Sequence, residues 1–196
     1  MSKSDPNASK KHKQELVKWV ITIFLTTIFV SGLISLISDE LMDRSSLGVA
    51  FLILLIIVMI GIVFDIIGVA VTSADETPFH AMAARKVPGA REAIRLLRRA
   101  ERVSSICNDV VGDICGVVSG SASAAIAVQL LNHFEPGWPN LISLLMSALV
   151  AGLTVGGKAI GKTFAVNSST AIVFSVGKSI ARLSGMLRFF RCNKIK

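Results

Sequence analysis

Five polar side chains interrupt long apolar stretches of the sequence: Asp65, Asn108, Asp109, Asp113 and Lys158. The first four have oxygen atoms that can bind a cation, and the fifth is itself a cation. A charged side chain at the centre of a membrane helix costs about 2.5 to 3.5 kcal/mol. Such groups therefore need a partner or a function. Carboxylate and amide oxygens are the ligands that a hard cation such as magnesium prefers. We expect an ion-binding pocket, with Asp65, Asn108 and Asp113 as metal ligands.

The spacing of these residues along their helices places them at one depth. Asp65 lies about 27 Å along its apolar helix, in a hydrocarbon core about 30 Å thick, and Lys158 reaches about the same depth. The other three lie roughly 6 to 14 Å above the inner end of their segment. The pattern predicts one pocket in the inner half of the membrane, open to the cytoplasm, with Gly157 beside Lys158. A second interpretation stays open, in which Asp65 and Lys158 extend toward headgroups and water without any function.

Small residues recur on the helices that carry these groups. Asn108, Gly112, Gly116, Gly120 and Ala124 follow each other at steps of four, so they predict a stripe along one helix face. Small residues at this spacing allow a second helix to approach closely, and we interpret Gly112, Gly116 and Gly120 as helix-packing positions. On the preceding helix, glycine and threonine flank Asp65 at steps of three and four, which predicts that this narrow face points into protein.

Composition sets the class of protein. The chain has 196 residues, of which 52% are hydrophobic and 17% charged, and this is too apolar for an ordinary soluble domain. The net charge of +8 is explained by membrane topology, since no basic run interleaved with aromatic residues indicates nucleic-acid binding. No catalytic nucleophile, phosphate loop or zinc motif occurs, so we do not expect an enzyme. We predict an all-α integral membrane protein with four transmembrane helices and amphipathic juxtamembrane helices.

The boundaries follow from the apolar runs. We predict a disordered basic tail over residues 1–13 and an extra N-terminal transmembrane helix over 14–38, whose apolar run is longer than the core of a cleaved signal peptide. A main domain covers 47–190. Arginine-rich segments at about 76–102 and 168–190 predict helices lying on the membrane surface, with arginines among lipid phosphates; for the first, a soluble helical hairpin is the alternative.

Basic residues concentrate at the tail, at 74–102 and at the C-terminal segment. This places the protein in the cell membrane, multi-pass, with both termini cytoplasmic.

Residues 48–182 resemble the transmembrane domain of the CNNM/CorC family of magnesium transporters. Similar to that family are a helix ending in small and hydroxyl residues at 68–73, a basic amphipathic connection at 89–97, a helix beginning Ile-Cys-Asn-Asp at 106–109, and a last crossing that ends with residues 157–165. The resemblance implies a homodimer in the lipid bilayer that holds a dehydrated magnesium ion among these helices.

The sequence departs from the family pattern at the site itself. The family's ligand glutamate is Lys158 here, a second expected asparagine is Gly112, and the kinking proline is Gly161. The paired cytoplasmic CBS domains are not in this sequence, so a separate cytoplasmic regulatory partner would take their role. A lysine at a ligand position acts as a tethered cation, whereas the three aspartates would rebuild a cation site.

Two hypotheses therefore stand side by side. The first is a membrane protein related to divalent-cation transport, with the pocket as its ion site. The second is a non-transporting membrane scaffold or accessory protein whose Lys-Asp pocket is structural. An intramembrane enzyme ranks behind both.

Overall fold

The protein consists of helices in all the parts that the structure describes. The structure is a computed structural model, and it describes residues 6–43, 45–134 and 138–192. No strand occurs within these ranges. The elements are α1 (Pro6–Asp43), α2 (Leu47–Ser73), α3 (Thr77–Ala84), α4 (Ala90–Leu97), α5 (Ala100–Ser105), a π-helical segment (Ile106–Gly112), α6 (Asp113–Phe134), α7 (Pro139–Asn167) and α8 (Ser169–Cys192).

Among the described residues, four helical stretches are long and apolar enough to cross a membrane, as the sequence predicts. The third is continuous through α5, the π-helical segment and α6, so two changes of helix type occur inside one span. The stretches are Val17–Ile37, Leu47–Ser73, Ala100–Asn132 and Asn140–Asn167.

The first helix begins earlier than the sequence prediction placed it. Residues 6–13, expected to belong to a disordered tail, form the start of α1, while residues 1–5 lie outside the described residues. Pro6 occupies the first helical position, where its missing N–H costs nothing. Because the apolar part of α1 already supplies the helix nucleus, each added residue only has to propagate it.

Helix α2 is the centre of the bundle, because it contacts both α6 and α7. Its pairing with the α5–α6 span is antiparallel: Gly61 meets Cys115, and Gly68 meets Asn108. Its pairing with α7 is parallel, since Ile62 packs on Gly157 and Ile66 on Gly161. The polar residues of three helices are therefore held at one level by glycine contacts.

Two apolar clusters lie above and below that level. The first joins α2, α6 and α7 through buried aliphatic side chains such as Leu54, Ile126 and Val150. The second joins the C-terminal end of α2 to α3, α4, α7 and α8, around Phe79 and Val173, both fully buried. The polar level lies between the two clusters.

The basic segment at 76–102 is divided into short helices on either side of Pro88 and Gly89. It forms α3 and α4, and the chain turns again at Arg98 and Arg99 before α5 begins the third span. Arg99 has φ −122° and ψ 29°, which is not helical, so the residues from Ala100 onward belong to the span. The predicted helix at 168–190 corresponds to α8.

Helices α4 and α8 cross at close range, and this contact holds α8 against the segment that contains α3 and α4. Gly89 has φ +94°, a conformation that favours glycine, and a Cβ atom there would lie 2.6 Å from Cα of Lys178. On the other helix, a Cβ atom on Gly177 would lie 2.6 Å from the carbonyl oxygen of Gly89. The two backbones are therefore in direct contact.

The connection between α2 and α3 is closed by an exposed aspartate. Oδ1 of Asp75 accepts hydrogen bonds from the backbone N–H of Thr77 at 3.2 Å and from its hydroxyl at 3.1 Å. The backbone bond, assisted by the hydroxyl, lowers the pKa of Asp75 below its usual value.

Candidate functional site: a polar cluster between three helices

Asp65 is the buried acid of a polar cluster between α2, the third span and α7. The other members of the cluster are Gly68, Asn108, Gly112, Lys158 and Lys162. It is 4% exposed and lies on the face of α2 between Gly61 and Gly68, both also buried. Its Oδ2 atom has no hydrogen-bond partner among the described residues. The nearest cation is the ammonium of Lys162, 4.0 Å away and with a side chain that is 56% exposed. The pair is a loose ion contact and does not form a hydrogen bond.

Lys158, one helical turn before Lys162 on α7, points into the bundle. Its Nζ atom lies 3.4 Å from the position that a Cβ atom on Gly112 would occupy. The antiparallel pairing of α2 with the α5–α6 span places Gly112 at the level of Asp65, so the ammonium of Lys158 reaches that level too. The ammonium therefore packs against the small residue Gly112.

Asn108 forms the end of the cluster next to Gly68 and Ser104. Its amide group occupies the place that a Cβ atom on Gly68 would take, so α2 and the π-helical segment are in contact through one side chain. Nδ2 donates a hydrogen bond to the hydroxyl of Ser104 at 3.2 Å. The Oδ1 atom is buried and has no partner among the described residues. This is the second acceptor in the cluster that lacks a donor.

The π-helical segment positions two of these groups. Asn108 and Gly112 lie at its third and last residues. In a π-helix the hydrogen bonds close from i to i+5, and such segments are frequent at functional sites. The wider turn changes which side chains face α2, and sequence spacing does not reveal it.

The cluster combines one buried carboxylate with two ammonium groups and one amide. Its formal charge is +1, from −1 on Asp65 and +2 on the two lysines. A magnesium ion demands near-octahedral oxygen coordination, and calcium takes six to eight oxygen ligands. The described residues contain no group of three histidine, cysteine, aspartate or glutamate side chains that would hold a metal ion. The side-chain oxygen ligands that the described cluster offers are those of one carboxylate and one amide, fewer than either cation takes.

Asp109 and Asp113, which the sequence placed in the pocket, have exposed side chains outside the cluster. Both belong to the faces of the π-helical segment and of α6 that turn away from Asp65, because α2 contacts the faces that carry Asn108, Gly112 and Cys115. Asp113 is thus not brought together with Asp65 and Asn108 as a common ligand set. Gly157 contributes by packing against Ile62, not through a polar contact.

Only the first glycine of the predicted stripe, Gly112, packs against a neighbouring helix. Gly112 is buried, but a Cβ atom on Gly116 or Gly120 would meet nothing within 4 Å, and Ala124 is exposed. Steps of four residues overshoot a helical turn by about 40° each, so the stripe winds away from the neighbouring helix. Gly116 and Gly120 instead border a cavity of about 220 Å³ between α6 and α7.

Two members of the cluster were not among the predicted site residues. Lys162 follows Lys158 by four residues, and this spacing alone places both ammonium groups on one helix face. Gly68 was recognised as part of a small face, but only the structure shows that its missing side chain admits the amide of Asn108.

Comparison with protein-family models, with curated proteins and with solved structures finds no match for this chain. Function is therefore inferred from the geometry of the cluster.

Proposed function

We propose that this chain is a multi-pass membrane protein, located in the cell membrane with both termini cytoplasmic, in which the ammonium of Lys158 takes the place of a mobile cation. On this proposal it acts as a membrane scaffold or accessory protein and does not conduct divalent cations. The observation that carries the proposal is the position of Lys158 Nζ against Gly112, at the level of Asp65. The resemblance to the CNNM/CorC transmembrane domain agrees with it, because the ligand glutamate and the second asparagine of that family are replaced by this lysine and this glycine.

Electrostatics favour the tethered ammonium over a free divalent ion. At an effective dielectric constant of about 20, a divalent ion about 5 Å from a unit charge interacts with it by roughly 7 kcal/mol. Attraction to Asp65 is offset by repulsion from one lysine, and repulsion from the second lysine remains. The free ion must also lose water, which magnesium does reluctantly. The ammonium of Lys158 is part of the chain, so it does not have to be taken up from solution.

The exposed aspartates of the third span favour the presence of a protein partner within the membrane. Asp109 and Asp113 lie in the third apolar span with exposed side chains. Because carboxylates are costly in hydrocarbon, a protein surface covering them is favoured over lipid. We propose a second copy of this chain as that cover, in a homodimer.

Transport of a divalent cation is the second candidate, and one observation favours it. Asp65 Oδ2 and Asn108 Oδ1 are both buried acceptors without donors, and the pairing of α2 with the π-helical segment brings them to neighbouring levels. Since Lys162 is already more than half exposed, its withdrawal toward water would leave these oxygens to a cation.

A magnesium titration of thermal stability separates the two candidates. The full-length protein in neutral detergent is heated with and without millimolar magnesium, next to Lys158→Glu and to the control Lys178→Glu, which makes the same charge change at an exposed position outside the spans. The proposal predicts no magnesium-dependent rise in melting temperature for the wild type and for the control, and a rise for Lys158→Glu. Protection of the wild type that Asp65→Asn removes would support transport instead.

A further inference from the structure

A groove beside α4 and α8 has the chemistry of an anion site and lies apart from the polar cluster. It is a cavity of about 630 Å³ between α4, the beginning of α5 and α8. We call it the arginine groove. Its lining residues are Glu92, Arg95, Leu96, Arg98, Arg99, Val103 and Ile180.

The charge of the arginine groove is positive and is not neutralised. Three arginines against one glutamate give +2, from +3 and −1. Arg95, Arg98 and Arg99 are exposed, and no carboxylate lies within 4.0 Å of any of them in the ranges that the structure describes. The neighbouring Arg102, in contrast, stacks on the ring of Trp19, 5.4 Å from its centroid. The three guanidinium groups thus remain available to bind an anion.

The frame of the groove is held in place by the backbone contact of α4 with α8. Gly89 and Gly177 are in direct contact there, and Ile180 follows Gly177 by about one turn of α8. On α4, Ala93 and Leu97 are buried beneath the arginines. Binding an anion therefore does not require ordering these helices first, which lowers the entropic cost.

The apolar lining indicates which anion fits. Leu96, Val103 and Ile180 lie beside the guanidinium groups, and Val103 is already within the third apolar span. An inorganic phosphate would use only the arginines, whereas a phospholipid would also cover these side chains with its glycerol and upper acyl carbons. Planar guanidinium groups bind phosphate oxygens through paired hydrogen bonds.

We propose that the arginine groove binds the phosphate of one anionic phospholipid. Arg95, Arg98 and Arg99 contact the headgroup phosphate, and Leu96, Val103 and Ile180 contact the upper part of the lipid tails. The inference rests on the membrane location in the proposed function but not on the role of Lys158, so the magnesium titration and the lipid experiment fail independently.

The test uses the full-length protein in neutral detergent and a matched pair of double variants. Arg95→Gln/Arg98→Gln removes two charges from the groove; Arg85→Gln/Arg91→Gln removes two charges from exposed arginines of the same segment that do not line it. Binding of phosphatidylglycerol, phosphatidylcholine and inorganic phosphate is measured by native mass spectrometry and by the shift in melting temperature.

One retained phosphatidylglycerol is expected for the wild type and the control, with weaker retention of phosphatidylcholine and no thermal shift from phosphate at matched ionic strength. Each arginine near an anionic surface contributes about a fivefold change in affinity, so the groove variant should bind about 25-fold more weakly. Since these side chains are exposed, its melting temperature without lipid should stay unchanged; if it does not fold, Arg98→Gln alone should bind about fivefold more weakly. Equal losses in both double variants, equal retention of the two lipids, or a phosphate shift as large as the lipid shift would overturn the proposal.

Discussion

The ammonium nitrogen of Lys158 lies 3.4 Å from the point that a Cβ atom on Gly112 would occupy. This is ordinary van der Waals contact, and it joins Lys158 to the only glycine of the predicted stripe that is buried against another helix. A side chain larger than alanine at residue 112 would meet the ammonium, whereas loss of the lysine side chain would leave a void between α7 and the third span.

The first prediction concerns this contact. Gly112→Val should displace the ammonium and lower the free energy of unfolding by about 1 to 3 kcal/mol, as overpacking does. In a Lys158→Ala background the displaced group is absent, so the same substitution should cost less, with a coupling energy of about 0.5 to 3 kcal/mol. The measurement is a double-mutant cycle of unfolding in detergent. Gly120→Val is the matched control, since a Cβ atom there would meet nothing within 4 Å; equal costs at the two glycines would contradict the account.

The second prediction concerns the contact of Asn108 with Gly68. Gly68→Ala places a methyl group where the amide of Asn108 lies, so it should destabilise the protein by about 1 to 3 kcal/mol. Asn108→Ala in the same chain should relieve most of that loss. Gly48→Ala is the control on the same helix, where a side chain meets nothing within 4 Å and alanine should stabilise by up to about 1 kcal/mol. Thermal unfolding measures these three variants and the wild type, and no relief by Asn108→Ala would refute the contact.

The third prediction is that the two lysines substitute for each other beside Asp65. Lys162→Ala alone should cost less than about 1 kcal/mol, because its side chain is more than half exposed and screened. The double variant Lys158→Ala/Lys162→Ala should cost more than the sum of the two single variants, because it leaves a buried carboxylate without a cation. Adding Asp65→Asn should restore much of the loss. Additive single effects in unfolding measurements would show that only one lysine interacts with Asp65.

The fourth prediction follows from the lowered pKa of Asp75. A carboxyl whose folded pKa is lowered stabilises the fold above its unfolded pKa, which is 3.8 for this aspartate, and loses this contribution as the pH falls through the folded pKa. Asp75→Ala should therefore lower the melting temperature near neutral pH. The difference from the wild type should shrink as the pH falls through the folded pKa of Asp75. Melting temperatures recorded against pH for both proteins test this. A difference that stays constant from neutral to strongly acidic pH would mean that the hydrogen bonds to Thr77 do not depend on the charge.

Sequence periodicity predicted the parts of the fold that depend on hydrophobic length. The four apolar helices follow from runs of uncharged residues, and burial of Asp65 follows from glycines at steps of three and four on the same helix. In both cases an ordinary α-helical spacing holds over the whole segment, so the sequence contains the needed information.

The third span is where the structure departs from simple spacing, because the span is not α-helical throughout. The π-helical segment and the drift of four-residue steps direct Asp109, Asp113 and Gly120 away from α2, although a simple spacing argument grouped them with Asn108. The role of Lys162 depends on which helix packs beside α7, a tertiary fact that its spacing from Lys158 does not supply.

The most direct test of the tethered ammonium is a magnesium influx assay on proteoliposomes that carry a magnesium-sensitive dye. Wild type, Lys158→Glu and the control Lys178→Glu are reconstituted at equal density, with protein-free liposomes as background. The account predicts background influx for the wild type and the control, and faster influx for Lys158→Glu, in which the ammonium beside Gly112 is replaced by a carboxylate. Magnesium influx through the wild type that Asp65→Asn abolishes would contradict it.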